Sequence, residues 1–438
     1  MGYQRLQPYR NRALQHIVMI NLILLLSSTF SPLLYSGLAH ATPQVDPAPV
    51  TPFGIQLHFE YNNPNLASWL PGMGIKQVRA DIRWEIVEQS KGQYNFSIYD
   101  PWLASAQKNA LTLLITLDYT NPLYDHGQTP YDVEGYQAFA NYACAVLKHY
   151  GKQITALEVY NEYNSKFSVG PCQRSALCYS KLLQYTYQAV KAMRPDVIVV
   201  GGAVSELSLD WFEQLFKAGG LKYADVISDH PYTNAQTAPP ESGPLDQQMV
   251  SLQQLIQRYN IGWSKPIWIS ELGWPTCITH VDEHTQADYL VRSAILALAG
   301  GVQKFFWYEL LDDGIDANPE NHFGVLRFPD VNGHYAPKPA YTAFAVLVQE
   351  INGRSFIKSE KLAANLYSEL FSNNLRVLWS PTGPRTITIT TSTPLTIITI
   401  DGSSHTYTPT QNHIVLTLNA DPIYLQGTPN SIQPQTRT

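Results

Sequence analysis

The sequence predicts an α/β fold: a (β/α)8 TIM barrel followed by a small C-terminal antiparallel β-sandwich-like domain. Apolar, strand-like runs recur eight times between Phe53 and Leu310, and helix-length segments separate them. Near-continuous apolar strands alternating with helices indicate parallel strands buried on both faces. After Asn352-Gly353 the pattern changes to short runs rich in Thr, Ile and Val, bounded by Pro, Gly and Asn, as in antiparallel β-structure. An open doubly wound sheet would carry a glycine-rich turn after its first strand, and FGIQLHFEYNN has none.

Taken in order, residues 1–41 read as a secretory signal: Arg5, Arg10 and Arg12, an apolar run from Ile17 to Leu26, and an A-x-A site at Ala39-His40-Ala41. Ser27, Ser28, Ser31 and Pro32 interrupt that run short of the about 20 apolar residues of a spanning helix, so no stable membrane insertion is expected once the signal is cleaved. The expected destination is secreted or extracytoplasmic, including the cell surface. Residues 42–52, TPQVDPAPVTP, form a proline-rich linker.

The barrel is expected over 53–352. Its strands fall at 53–59, 76–84, 111–119, 156–162, 196–204, 225–232, 266–274 and 303–310. Helices are expected at Gly135–His149, Tyr179–Met193, Ser208–Ala218, Gln247–Tyr259 and Thr285–Leu298, with Pro339–Ile351 closing the ring. The β-domain is expected over 353–427, with strands at 375–380, 385–392, 395–400, 413–418 and 422–426, and residues 428–438 as a frayed polar tail.

Composition narrows the partners. Charged residues make up 15% and the net charge is −6, which leaves no basic field for nucleic acid. Four cysteines in 438 residues do not build a disulfide scaffold. Cys172 and Cys178 are close enough to pair in an oxidising compartment, an issue the sequence leaves open, while Cys144 and Cys277 are expected to be buried thiols. Oligomeric state is also open.

Active sites of such barrels sit at the C-terminal ends of the strands, so the polar residues that end apolar runs matter most. Those residues are His58, Arg79, Asp81, Trp84, Asp118, Asn161, Glu162, His230, Tyr232, Glu271, Trp307 and Glu309. Glu162 and Glu271 end the fourth and seventh runs. Two carboxylates among hydrogen bonders and aromatic rings fit glycosidic cleavage, which needs a proton for the leaving oxygen and a base or nucleophile on the opposite face. That chemistry calls for no metal and no cofactor. The bland alternatives are structural ion pairs for the two glutamates, a satisfied core role for His230, an interior Arg79–Asp81 pair, a loop brace for Glu88, and simple packing for Trp84 and Trp102.

These residues resemble the retaining glycoside hydrolases of clan A, most of all family 39 and its bacterial endoglycosidase-like relatives. The features that carry the resemblance span 53–350: VRADIRWEIVEQSKGQYNFSIYD (78–100), VYNEYN (159–164), DHPY (229–232), WISELGW (268–274), FFWYEL (305–310) and HYAPKPAYTAF (334–344). The resemblance implies Glu162 as general acid/base, with a raised pKa, and Glu271 as nucleophile. It further implies Asn161 on the sugar 2-hydroxyl, Arg79 and Tyr232 on Glu271, and His230, Trp307, Asp118 and His58 on substrate. The loop signatures of β-xylosidases and α-L-iduronidases are absent, so neither exo-activity is implied. The signal and the aromatics Tyr61, Tyr119, Tyr124 and Trp274, read as pocket-edge residues, favour endo-action on an extracellular polysaccharide. A non-catalytic polysaccharide-binding cell-surface protein and a transglycosylase are the competing readings.

Overall fold

The computed structural model describes residues 51–59, 63–233 and 236–435. The expected signal, nearly all of the expected linker and Tyr61 lie outside them. Among the described residues no helix is long and apolar enough to cross a membrane.

Eight parallel strands close into a barrel: β1 (Phe53–Leu57), β2 (Gln77–Arg83), β3 (Thr112–Asp118), β4 (Ile154–Val159), β5 (Ile198–Ser205), β6 (Val226–His230), β7 (Ile267–Leu272) and β8 (Lys304–Trp307). β1 seals the ring by pairing Phe53 with Phe305 and Ile55 with Trp307. A short α1 (Trp84–Val87) follows β2 directly, and the crossover helices are α2 (Asp100–Lys108), α3 (Val133–Tyr150), α4 (Ala176–Met193), α5 (Leu209–Lys217), α6 (Leu245–Tyr259), α7 (Glu283–Ala299) and α8 (Pro339–Ile351).

Alternation along the strands builds two layers. Leu113, Leu157, Val199, Ile227, Ile269 and Phe305 pack outward into the main core, whereas Leu114, Ala156, Val200, Val226, Trp268 and Phe306 form a separate apolar cluster. Next along the same alternating positions come Gln56, Arg79, Thr116, Glu158, Ser228 and Ser270, all buried and polar. A polar layer above an apolar plug is what places the chemistry at the strands' C-terminal ends.

A two-residue pair, β9 (Leu326–Arg327) with β10 (Ala336–Pro337), lies in the loop after β8. The remaining strands are β11 (Phe356–Ser359), β12 (Tyr367–Phe371), β13 (Leu375–Trp379), β14 (Arg385–Thr390), β15 (Leu395–Thr399), β16 (Ser404–Tyr407), β17 (His413–Leu418), β18 (Ile423–Gln426) and β19 (Ser431–Pro434). They form a six-stranded sheet, β11-β12-β13-β18-β15-β16, and a three-stranded sheet, β17-β14-β19. Leu378, Leu395, Ile397 and Leu425 of the larger sheet meet Ile387, Ile389, Ile414 and Leu418 of the smaller one. The larger sheet turns Val377, Trp379 and Tyr424 the other way, into the main core. Trp379 stacks on Tyr367 at 4.7 Å and donates its indole N–H to Glu241 at 2.7 Å.

Three expectations need correction. The tail is not frayed over its whole length: Ser431–Pro434 adds a strand to the edge of β14, pairing Ile389 with Ile432 and Ile387 with Pro434. Proline is tolerated there because an edge strand need not donate from every position. The thiols of Cys144 and Cys277 are half-buried, not buried, Cys277 sitting 3.2 Å from His280 Nδ1. Trp274 is buried and does not edge a pocket. Cys172 and Cys178 form a disulfide.

Because Trp379 fills the seam between sheet and helices, Trp379→Ala should cost about 3–5 kcal/mol in urea-induced unfolding. An unchanged midpoint would mean that this seam adds nothing to stability.

Candidate active site

The site begins with backbone. In β5 the register slips between Gly201 and Val204. Gly202 takes φ 124° there, and a Cβ would lie 2.3 Å from the Ser228 carbonyl, so only glycine fits this bulge. The bulge presents the Ala203 carbonyl, which accepts from the Glu162 N–H at 2.9 Å. Tyr160 and Glu162 themselves hold left-handed φ values of 68° and 45°. Non-glycine residues pay of order 1–3 kcal/mol for such conformations, which persist where the surroundings over-determine them. Here those surroundings are the Tyr160 hydroxyl donating to the Phe167 carbonyl at 2.8 Å and the two backbone bonds from β3 and β5.

Arg79 organises the side chains. Its Nε donates to Glu158 at 2.8 Å, Nη1 to Gln56 at 2.9 Å and to Glu271 at 3.0 Å, and Nη2 to Asn161 at 2.8 Å. Glu158 also accepts from Thr116 at 3.1 Å and from Ser228 at 2.7 Å. Burial works against its charge, but Arg79 foremost, with His230 and the serines, holds its pKa below the usual range. The alternative of an Arg79–Asp81 pair thus gives way to Arg79–Glu158, alongside the bond to Glu271. Glu158 escaped sequence reading because it sits inside the apolar run ALEVYNE, and a charge on an inward position of a buried strand was the available signal.

Glu271 accepts from Arg79 and, at 2.9 Å, from the Tyr232 hydroxyl. Across from it, Glu162 Oε1 lies 3.2 Å from His230 Nδ1, and His230 Nε2 is 3.0 Å from Ser270 Oγ. One carboxylate oxygen of each glutamate and a ring nitrogen of His230 fall within 4.8 Å of one another. Burial opposes charge on His230, yet Glu271 and Glu162 raise its pKa. Asn161, held by Arg79, donates to the Tyr119 hydroxyl at 3.1 Å.

The other candidates lie around this pair. His58 Nε2 sits 3.2 Å from Glu309, and Nδ1 is 3.6 Å from Asp81. Asp118 ends β3 fully buried. Trp307 is fully buried and stacks on Trp274 at 6.1 Å. Glu88 braces its loop, accepting from Trp84, Gly92 and Tyr124; Trp84 and Trp102 are core packing.

Paired carboxylates at the mouth of a (β/α)8 barrel, oriented by an arginine, a tyrosine and a histidine, define a sugar-cleaving barrel as the class. Residues 89–324, more than half the chain, match the model of the glycosyl hydrolase catalytic core, and the chain belongs to that family. It is a glycoside hydrolase, and its substrate is a carbohydrate. The fold is shared with a family 39 glycoside hydrolase from the gut symbiont Bacteroides cellulosilyticus, with a TM-score of 0.74 at 24% identity over 87% of this chain and 81% of that one. A family 39 enzyme from Xanthomonas axonopodis gives 0.58 at 14% identity over 86% and 94%. A family 30 endoxylanase from Clostridium papyrosolvens gives 0.60 at 12% over 88% and 96%. No curated protein sequence matches the chain.

Removing the Arg79 guanidinium strands Glu158 in the barrel, so Arg79→Met should cost about 3–5 kcal/mol in denaturant unfolding. Arg79→Met/Glu158→Leu should recover most of that stability while hydrolysis stays lost; recovered hydrolysis would separate Arg79 from the site. A pH dependence follows from the His58 cluster. Burial first, then Asp313 and Asp312, push the Glu309 carboxyl up to about 8 against the pull of His58. Burial disfavours charge on His58, but Glu309 and Asp81 raise its pKa above 6.5. Both groups therefore bind more protons folded than unfolded, and stability should fall as pH rises from about 4.5 to about 8, the interval between the ordinary and the folded Glu309 values. Urea midpoints across that range should show a shallower fall in Glu309→Gln than in the wild type.

Proposed function

We propose that the protein is a secreted, retaining, endo-acting hydrolase of β-linked polysaccharide, with Glu271 as nucleophile and Glu162 as general acid/base. The observation that carries this reading is the unequal setting of two close carboxylates. Glu271 receives a cationic and a neutral donor, Arg79 and Tyr232, whereas Glu162 faces the His230 ring. Environments that differ in this way divide acid from nucleophile. One oxygen of each carboxylate lies within 4.8 Å of the other, an approach in keeping with the spacing of about 5–5.5 Å between the carboxyl groups of retaining enzymes.

In the first step Glu271 attacks the anomeric carbon as Glu162 gives its proton to the leaving oxygen. In the second, Glu162 takes a proton from water, which displaces Glu271 and releases a product with its configuration retained. Asn161, locked by Arg79, binds the sugar 2-hydroxyl, and His230 keeps Glu162 aimed at the leaving group. His58 serves as a hydroxyl ligand, and the buried Asp118 and Trp307 back the subsite from within the barrel. Secretion is supported by the basic and apolar N-terminal segment and by the Cys172–Cys178 disulfide, which suits an oxidising compartment. Half-buried Tyr119 and Tyr124 supply rim surface for an extended chain.

A panel of β-linked polysaccharides, followed by reducing-end assay and by NMR of the first anomer released, tests the reading. Wild type should release the β-anomer and a ladder of oligomers, and Glu271→Gln should lose at least about 10⁴-fold in rate, the scale of losing a catalytic group outright. Glu162→Gln should keep most activity only on activated aryl leaving groups. An α-anomer first, or monosaccharide alone, would contradict the retaining or the endo assignment respectively.

A further inference from the structure

A second histidine–carboxylate cluster stands apart from the catalytic residues, where α7 meets the turn between β17 and β18. His284 and Asp288 lie one turn apart on the same face of α7. Asp421 reaches them from the turn, its Oδ1 3.2 Å from His284 Nε2. One donor atom from each of the three falls within 4.8 Å of the other two.

Asp288 is what makes this more than a surface ion pair. It is 3% exposed, and its Oδ1 is buried without a hydrogen-bond partner. Arg292, one turn further along α7, gives its Nε and Nη2 to Glu241 rather than to Asp288. A buried carboxylate oxygen without a donor is costly, and a second carboxylate beside it adds repulsion. The other two ligands remain open to solvent, with His284 and Asp421 side chains 61% and 42% exposed, which leaves a route of entry.

We propose that His284, Asp288 and Asp421 bind a divalent cation of the zinc class, clamping α7 to the β17–β18 turn. One imidazole nitrogen and two carboxylate oxygens, with water in the fourth position, match the tetrahedral mixed-donor preference of Zn²⁺. Calcium needs six to eight oxygens, which this set does not provide. The cation would satisfy the orphaned Asp288 oxygen and neutralise the pair, and it would be structural, since the ligands stand outside the strand-end cluster that performs hydrolysis.

The test uses the full chain stripped of metal, titrated with Zn²⁺ by calorimetry and followed by thermal unfolding. One site is expected, and saturation should raise Tm by several degrees. Asp421→Asn and His284→Gln, both exposed and so compatible with folding, should keep the metal-free Tm of the wild type, weaken Zn²⁺ at least tenfold and abolish the shift. Glu271→Gln should leave binding intact, which separates this cluster from the histidine and glutamates of the active site. Equal concentrations of Ca²⁺ should produce no shift. Absence of Zn²⁺ binding, or binding that survives both Asp421→Asn and His284→Gln, would overturn the proposal.

Discussion

A guanidinium buried inside the barrel is the constraint on which the site depends. Arg79 is 1% exposed, and a charge that deep is tolerated only when it is paired and its nitrogens are hydrogen-bonded. Glu158, Gln56, Glu271 and Asn161 engage them, and they come from β4, β1, β7 and the end of β4. The same ion therefore neutralises an interior carboxylate, holds Glu271 and fixes Asn161 beside Glu162. Stability and chemistry are coupled at one side chain.

The backbone reinforces this coupling. Gly202 permits the β5 bulge, the bulge lends Ala203's carbonyl to Glu162, and Glu162 accepts a left-handed φ to reach it. Ser228, which donates to Glu158, also accepts from the Ala203 N–H at 2.9 Å. The polar layer and the strained strand ends thus share hydrogen bonds, so that neither glutamate can move far without disturbing the other's supports. A pre-organised pair of this kind suits a reaction in which charge develops between two carboxylates.

Much of this was legible in the sequence, for physical reasons. Parallel barrel strands are buried on both faces, so they read as apolar runs, and residues such as Asn161, Glu162 and Glu271 stand out where those runs stop. What the pattern concealed were groups whose role depends on partners distant in the chain. Glu158 lies in mid-run, and only the barrel's closure brings Arg79, Thr116 and Ser228 to it. The edge strands Phe356–Ser359 and Ser431–Pro434 carry too few buried side chains to show a period, because the neighbouring strand's ladder defines them. Trp274 looked like a rim residue by its place after Glu271, but Trp307 and Tyr289 draw it into the core.

Trapping the intermediate distinguishes a Glu271 that forms the bond to sugar, with Glu162 handling the proton, from any other division of roles. A 2-deoxy-2-fluoro-β-glycoside with an activated leaving group, built on the sugar the enzyme releases, slows the second step more than the first. Intact-mass and peptide spectrometry should then show one glycosyl adduct, on Glu271, with time-dependent loss of activity. A glycosyl adduct on Glu162, or turnover of the probe's natural counterpart with inversion and no adduct, would contradict the Glu271 assignment.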